Sequence, residues 1–329
     1  MDTTTLKHGT GITPVSCDAV SVLEGIGMSP KTDLELAKLH KYIVEPGGKP
    51  VIGVTSVNVL EKQAFKWTFA TVASATTWDL HPDYLSVAET YRETLQSTPY
   101  GRTKLKKILA ERGERGEEEA LFLHFCRGEC QRQWDAKAAL GTRVHDHALN
   151  WAMQRDAEVL PDEEPYMDAL EKLYAEQEPE MVLAEVVVGN PVPTWPYQHN
   201  RADPLLAYGG RFDWLGRLKS LPGITLMDYK TGGEYLDSTA LQLVAYGRAA
   251  QVHYDKDGMV DRLVPLPHIT NYRTCYLQPD GEYRLVNPYE VLTEDDCFAT
   301  FLHLRAATNW QFKVETIKKQ KEKDAKHSD

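Results

Sequence analysis

The sequence predicts an α/β fold, with a central mixed sheet flanked by helices and a helical part ahead of it. Three observations carry that expectation. The segment YGGRFDWLGRLKSLPGITLMDYKTGGEYLDSTALQLVAY, residues 208–246, reads as two strands joined by a short connection and followed by a helix. Short apolar runs bounded by turn residues recur on either side of it, at 182–188, 262–266, 268–277 and 283–286. Residues 102–180 are instead dominated by helical spacing.

Taken in chain order, residues 1–50 read as an extension carrying one amphipathic helix candidate at 33–43. Residues 55–75 have helical character, with Ser56 available as a cap. A polar, turn-rich stretch at 79–100 leads to helices at 102–110, 117–130 and 131–156, and a further amphipathic helix covers 165–177. The strand at 182–188 opens the core. A proline-rich loop follows to Tyr208, with Pro191, Pro193, Trp195, Pro196 and Tyr197. Its length suits either a functional loop, whose aromatics stack on an unpaired base, or a packing loop over the sheet edge. Leu221-Pro222-Gly223 is a turn signal. Residues 238–250 are helical, with Leu241, Val244 and Ala245 in register and Gln242 and Tyr246 four apart on one face. A closing helix is expected at 294–308. The tail beyond Thr316 alternates lysine with acids and is expected to be disordered or frayed.

The chemistry concentrates in the central segment. Asp213 lies on the first of its strands and Asp228-Tyr229-Lys230 ends the second. Strand alternation turns Asp228 and Lys230 to one face and Tyr229 to the other. Carboxylates and a lysine gathered on a sheet suit a divalent-metal site acting on a phosphodiester. The lysine would orient water or steady developing charge.

These residues, in this order, resemble the RecB-type nuclease domain of the PD-(D/E)XK superfamily. The pattern is G-x-x-D, then D-x-K-T, then Q-x-x-x-Y. The nearest likeness is to phage exonucleases related to the CRISPR-associated adaptation nucleases. Gly141-Thr142-Arg143-Val144-His145 is similar to the family's G-x-x-x-H segment, and Glu185, opening Glu185-Val186-Val187-Val188, to the glutamate of its first core strand. An upstream Gly53-Val54-Thr55-Ser56-Val57 followed by Phe65-Lys66-Trp67 completes the likeness, which spans roughly residues 51–310. The resemblance implies a restriction-endonuclease-like core and a Mg²⁺- or Mn²⁺-dependent exonuclease working on DNA ends in phage-type recombination or replication. It divides the chain into an extension at 1–50, a nuclease domain at 51–315 and a charged tail at 316–329. Residues 51–180 of that domain would be a helical wall and 181–315 its catalytic core. Asp213, Asp228, His145 and the carbonyl of Tyr229 would bind metal. Lys230 would be the catalytic lysine, with Glu185 assisting through water, and Gln242 and Tyr246 would hold DNA. A structure-specific endonuclease of the same superfamily, or a non-catalytic DNA-binding or assembly protein, are the rival readings.

Composition bounds the rest. The 329-residue chain has a 42% apolar share, enough for a sizeable core. It contains no apolar run of membrane-spanning length, and its first residues lack the regions of a signal peptide. The expected location is therefore the cytoplasm of the cell that makes it, without a membrane partner. DNA, and recombination or replication proteins, are the partners the resemblance implies. The net charge of -11 argues against a protein that coats nucleic acid. One acid-free basic stretch, Arg102, Lys104, Lys106 and Lys107, is followed by Arg127, Arg132, Lys137 and Arg143; it reads as phosphate-contacting or as a solvated helix face. The five cysteines form no disulfide framework. Some members of the family hold an iron–sulfur cluster on one early and three clustered cysteines. Here Cys126 and Cys130 are four apart on one helix face while Cys17, Cys275 and Cys297 are scattered, so that pattern is absent and no iron–sulfur cluster is expected.

Overall fold

The computed structural model describes residues 4–5, 41–57, 83–113, 115–198, 201–232, 236–257 and 259–326. The predicted helical segments at 33–40 and 58–75, Phe65-Lys66-Trp67 and Cys17 lie outside them. The chain divides into two compact units, one from 1–60 with 140–329 and the other from 61–139.

The larger unit is α/β. Its sheet contains β2 (Lys41–Tyr42), β3 (Val51–Gly53), β5 (Glu180–Asn190), β6 (Tyr208–Leu218), β7 (Leu221–Lys230), β8 (Ala250–Tyr254), β9 (Val260–Pro265), β10 (Ile269–Leu277) and β11 (Tyr283–Val286). The main order is β11-β10-β7-β6-β5-β8-β9, with β3 pairing β6 and β2 pairing β3, and β3 leads directly into a short helix, α1 (Val54–Val57). A separate two-residue pair joins β1 (Thr4–Thr5) to β4 (Glu158–Val159). The sheet is mixed. The hairpin β6–β7 and the β5–β6 pair are antiparallel, whereas β7–β10 and β3–β6 are parallel. A parallel neighbour needs a crossover, and between β7 and β10 the chain supplies α6 (Leu236–Gly247), β8 and β9.

Helices cover both faces. On one, α6 and α7 (Glu294–Lys326) bury Val244, Tyr246, Phe298 and Phe301 against Val186, Phe212, Leu215 and Leu226. On the other, α5 (Glu164–Gln177) brings Met167, Leu170 and Leu173 onto Trp214, Met227, Tyr229 and Cys275. The C-terminal part of α4 (Glu117–Ala152) joins this second layer through Val144 and Ala148. Cys275 and Cys297 are thus core residues of opposite layers.

The smaller unit is helical: α2 (Tyr84–Gln96), α3 (Pro99–Ala110) and the start of α4 pack through Ala88, Leu95, Leu105, Ile108 and Leu121. Thr98 caps α3 by accepting from the Gly101 amide at 3.0 Å, and Pro99 occupies the first turn, where its missing N–H costs nothing. Gly101 is required there, because a Cβ would stand 2.1 Å from the Leu95 carbonyl oxygen.

Several elements depart from the expectations. The predicted break at 130/131 does not occur, and α4 runs on without interruption. Residues 41–42, expected at the end of a helix, form a strand on β3. The helix expected to 250 stops at Gly247, and β8 begins three residues later, paired with both β5 and β9. Leu221-Pro222-Gly223 belongs to β7; the reversal is made by Lys219 and Ser220, between the paired Leu218 and Leu221. Gly223 has φ +87, and a Cβ would fall 2.3 Å from Thr270 Oγ1, so glycine serves strand approach. The tail is helical to Lys326, as its run of Lys, Gln and Glu favours once a helix has started. No helix among the described residues is long and apolar enough to cross a membrane.

One polar hub ties α4 to the connection before α5. Glu163 is buried at 1% exposure. Its carboxylate receives the Leu160 amide at 2.9 Å, His147 Nε2 at 2.9 Å and the Arg143 guanidinium, which also reaches Asp162 at 2.9 Å. His147 is therefore structural. Arg143 is held by carboxylates rather than presented for phosphate contact. Burial would push the Glu163 carboxyl up, but the Leu160 amide, Arg143 and His147 together hold it below the usual range. Its stabilisation is present above the ordinary carboxylate value and lost as pH falls through the depressed one. Glu163→Gln is expected to lower unfolding stability at neutral pH by about 2 kcal/mol, the scale of a charge-assisted hydrogen bond. Urea unfolding checks this, and an unchanged midpoint would show that the hub does not hold α4.

Candidate metal centre

The site is made by a break in strand alternation that occurs on two neighbouring strands at the same level. Side chains on a strand alternate between faces. Yet Leu183 and Val186, three apart on β5, both pack into the α6 layer, and so do Phe212 and Leu215 on β6. The residues between them, Ala184 with Glu185 and Asp213 with Trp214, line one small cleft on the α4 side together with His145 and Tyr229. Ala184 pairs with Trp214 and Val186 with Phe212, which sets Glu185 directly opposite Asp213 although those two are not a ladder pair. Glu185 has φ +52, a left-handed conformation that a non-glycine residue adopts only when its surroundings compel it. Glu185 and Asp213, opposed on adjacent strands, face the same helix.

That helix brings His145. Gly141, one turn earlier, lets α4 approach the end of β7: a Cβ there would stand 3.2 Å from Thr231 Oγ1. His145 Nδ1 is 3.3 Å from Asp213 Oδ2, and its ring meets the edge of the Tyr229 ring at 6.3 Å between centroids. Ligand atoms of His145, Glu185 and Asp213 all lie within 4.8 Å of one another, the one group among the described residues that is spaced to share an ion.

Asp228 and Lys230 stand beside this trio. The β6–β7 ladder ends at Trp214 and Met227. There Asp213 Oδ2 takes the Tyr229 amide hydrogen at 2.8 Å, so Tyr229 enters the site through its main chain. Asp228 is 1% exposed; its Oδ2 meets the Lys230 ammonium and its Oδ1 accepts from Gln242 Nε2 at 3.0 Å. Gln242 also donates to the Tyr246 hydroxyl at 3.1 Å. Tyr246 lies on bare backbone at Gly210, where a Cβ would come within 2.4 Å of its ring. The eight residues singled out from the sequence thus converge, in two parts. His145, Glu185 and Asp213 form a trio spaced to share an ion, while Asp228 is engaged by Lys230 and Gln242.

The charges are strongly coupled. Burial pulls the His145 imidazole down, but Asp213, in both charge and hydrogen bond, and then Asp228 lift it to about 9. Burial pushes Glu185 up, Asp213 adds to this, and its carboxyl reaches about 7 despite Arg211. Burial and Asp213 likewise raise Asp228, with Lys230 offsetting part. Burial penalises the Lys230 ammonium, yet Asp228 and Asp213 hold it above the usual lysine range.

Two features escaped the sequence reading. Arg211 Nε pairs with Glu185 Oε2 at 2.9 Å. Tyr42 packs over Gly209, where a Cβ would stand 2.6 Å from the tyrosine Cβ. Alternation could have found Arg211, two residues before Asp213. Trp195 is a packing residue, buried and 4.8 Å from the His303 ring centroid, while the exposed Tyr197 hydroxyl donates to Asp296. In the basic stretch, Lys104 lies 6.0 Å over the Tyr91 ring and Arg102 donates to the Gln96 carbonyl. No model of a known protein family and no curated protein matches the chain.

His145 supplies a direct check of this geometry. With its pKa above the free value of about 6.5, its contact with Asp213 stabilises the fold below that pH. The contribution is lost as pH rises through about 9. In metal-free protein, NMR titration should place the His145 midpoint far above the ordinary value. In Asp213→Asn the midpoint should move down, toward the ordinary value or below it, because burial then prevails. A midpoint that Asp213→Asn leaves unchanged would contradict the contact.

Proposed function

We propose that this protein is a metal-dependent deoxyribonuclease of the RecB-type PD-(D/E)XK kind, acting as an exonuclease on DNA ends in phage-type recombination or replication. The observation that carries the reading is the convergence of His145, Glu185 and Asp213 on one cleft, with the Asp228–Lys230 pair at its side. The mixed α/β sheet is compatible with a restriction-endonuclease-like core.

The donor set fits a divalent cation. Two carboxylates directly opposite one another on adjacent strands repel, and burial makes that repulsion costly. A positive ion between them and the imidazole relieves it. Oxygen donors with one nitrogen suit Mg²⁺ or Mn²⁺ better than a thiophilic metal. When bound, the cation supplies Lewis acidity and neutralises charge developing on the scissile phosphate. His145, Glu185 and Asp213 would hold it, joined by Asp228 and the Tyr229 carbonyl as the family resemblance implies.

The chain's own groups divide the remaining work. Asp228 keeps Lys230 charged and turned into the site, so its ammonium is available to a phosphate oxygen or to the attacking water. Gln242 orients Asp228 through one amide hydrogen and meets Tyr246 through the other. It thereby fixes the carboxylate from the helix side, whereas Tyr246, 2% exposed and packed on Gly210, backs Gln242 from the core and does not reach the DNA it was expected to hold. His145 must lose its proton to become a ligand, so cation affinity is expected to rise with pH up to about 9.

End-labelled linear and closed circular DNA, single- and double-stranded, incubated with Mg²⁺ or Mn²⁺, tests the proposal. Linear substrates should be shortened from their ends while circles survive. Asp213→Ala should abolish cleavage with the fold intact, and Lys230→Ala should reduce turnover about a hundredfold or more. Cut circles would point to the endonuclease reading. Undiminished activity in Asp213→Ala would remove the site assignment.

A further inference from the structure

Arg211 occupies the exposed edge of the site in an arrangement that asks for a second state. Its Nε pairs with Glu185 Oε2 at 2.9 Å, while its side chain remains 51% exposed and that of Glu185 only 20%. Register explains the reach. Arg211 pairs with Val187, so Glu185 is the diagonal neighbour, and alternation along β6 sets Arg211 on the side to which Asp213 turns. Glu185 is also one of the three groups spaced to share an ion. One carboxylate therefore answers to two cationic partners, the guanidinium now beside it and any ion held with His145 and Asp213. Lys230 is paired to Asp228 and so, unlike Arg211, does not compete with an ion for a member of the trio. In a chain with net charge -11, a released guanidinium at this edge is well suited to a phosphate, whose oxygens match its planar fork.

We propose that Arg211 is a conditional phosphate-binding residue: Glu185 holds it while the metal site is empty, and metal occupancy of Glu185 frees it to grip the DNA backbone. The proposal rests on the nuclease reading above and adds an order to it, metal before tight DNA binding. Because the guanidinium and the ion compete for one carboxylate, the coupling is reciprocal. Removing Arg211 should favour the ion and disfavour DNA.

The test uses the full chain and its Arg211→Met variant, with retained folding checked by thermal melting. Calorimetric titration with Mn²⁺ in the absence of DNA should give a tighter Kd for Arg211→Met than for wild type. If Arg211 merely props Glu185 in place, the variant should bind Mn²⁺ more weakly, and that result overturns the proposal. Binding of a short duplex with free ends is then measured across a salt series, with Ca²⁺ as a non-cleaving ion and again with chelator. With Ca²⁺, Arg211→Met should weaken DNA binding about tenfold and reduce the slope of log K against log salt by about 1, the value of one phosphate contact. With chelator the two proteins should bind alike. Equal losses in both conditions, or none in either, overturn the conditional role while leaving the nuclease reading standing. A wild-type protein that binds no DNA with Ca²⁺ removes the nuclease reading and this proposal together.

Discussion

Glu185 and Asp213 face each other across adjacent strands, and much of the structure around them serves to hold two like charges in that position. A regular ladder would turn one residue of each strand to each face and leave the α4 side with a single pair. The doubled residues, Ala184 with Glu185 and Asp213 with Trp214, add Ala184 and Trp214 to the face that the two opposed carboxylates share, and together they line the cleft that His145 enters. The left-handed backbone at Glu185 is the local consequence. Such an arrangement is unfavourable by itself. It persists because Leu183, Val186, Phe212 and Leu215 are anchored in the α6 layer, and because the Tyr229 amide and His145 satisfy Asp213. Packing on one face thus sustains electrostatic tension on the other.

Much of this was legible in the chain, and the reasons differ by residue. Asp228 and Lys230 could be set on a common face by alternation alone, and they pair. Gln242 and Tyr246 could be placed on one helix face by spacing, and they touch. The α/β class followed from strand-length apolar runs set against helical spacing. The paired breaks in alternation were not legible, since nothing in Glu185-Val186-Val187-Val188 announces a positive φ; they arise only when β5 and β6 meet. For the same reason the ion-spaced trio contains Glu185, assigned a lesser role from the sequence, while Asp228 is engaged elsewhere. The strand β8 was missed because the helical reading was carried to residue 250, where β8 begins, and its partner β5 lies far back in the chain, although its hairpin partner β9 follows directly. The helical tail was missed because charge alternation was read as disorder, although Lys, Gln and Glu are good helix formers.

Electrostatics gives the site its logic. The raised His145 and Glu185 and the elevated Lys230 describe a cluster short of positive charge at its centre. Lys230 and Arg211, paired with Asp228 and Glu185, supply part of that charge in the structure as it stands. A dication would displace the proton on His145 and compete with Arg211 for Glu185, which would make metal, proton and guanidinium alternative occupants of one negative locus. The same coupling explains why Gln242, which is neutral, matters: it fixes the Asp228 carboxylate without adding to the charge.

The central claim, that His145, Glu185 and Asp213 together hold a divalent cation, is tested most directly by anomalous diffraction from crystals grown with Mn²⁺. A single strong anomalous peak is expected in the cleft between α4 and the β5–β6 pair, about 2.0–2.4 Å from a His145 ring nitrogen and bonded to carboxylate oxygens of Glu185 and Asp213. A map with no peak there at saturating Mn²⁺, or with the ion bound only at surface carboxylates elsewhere, would contradict the account.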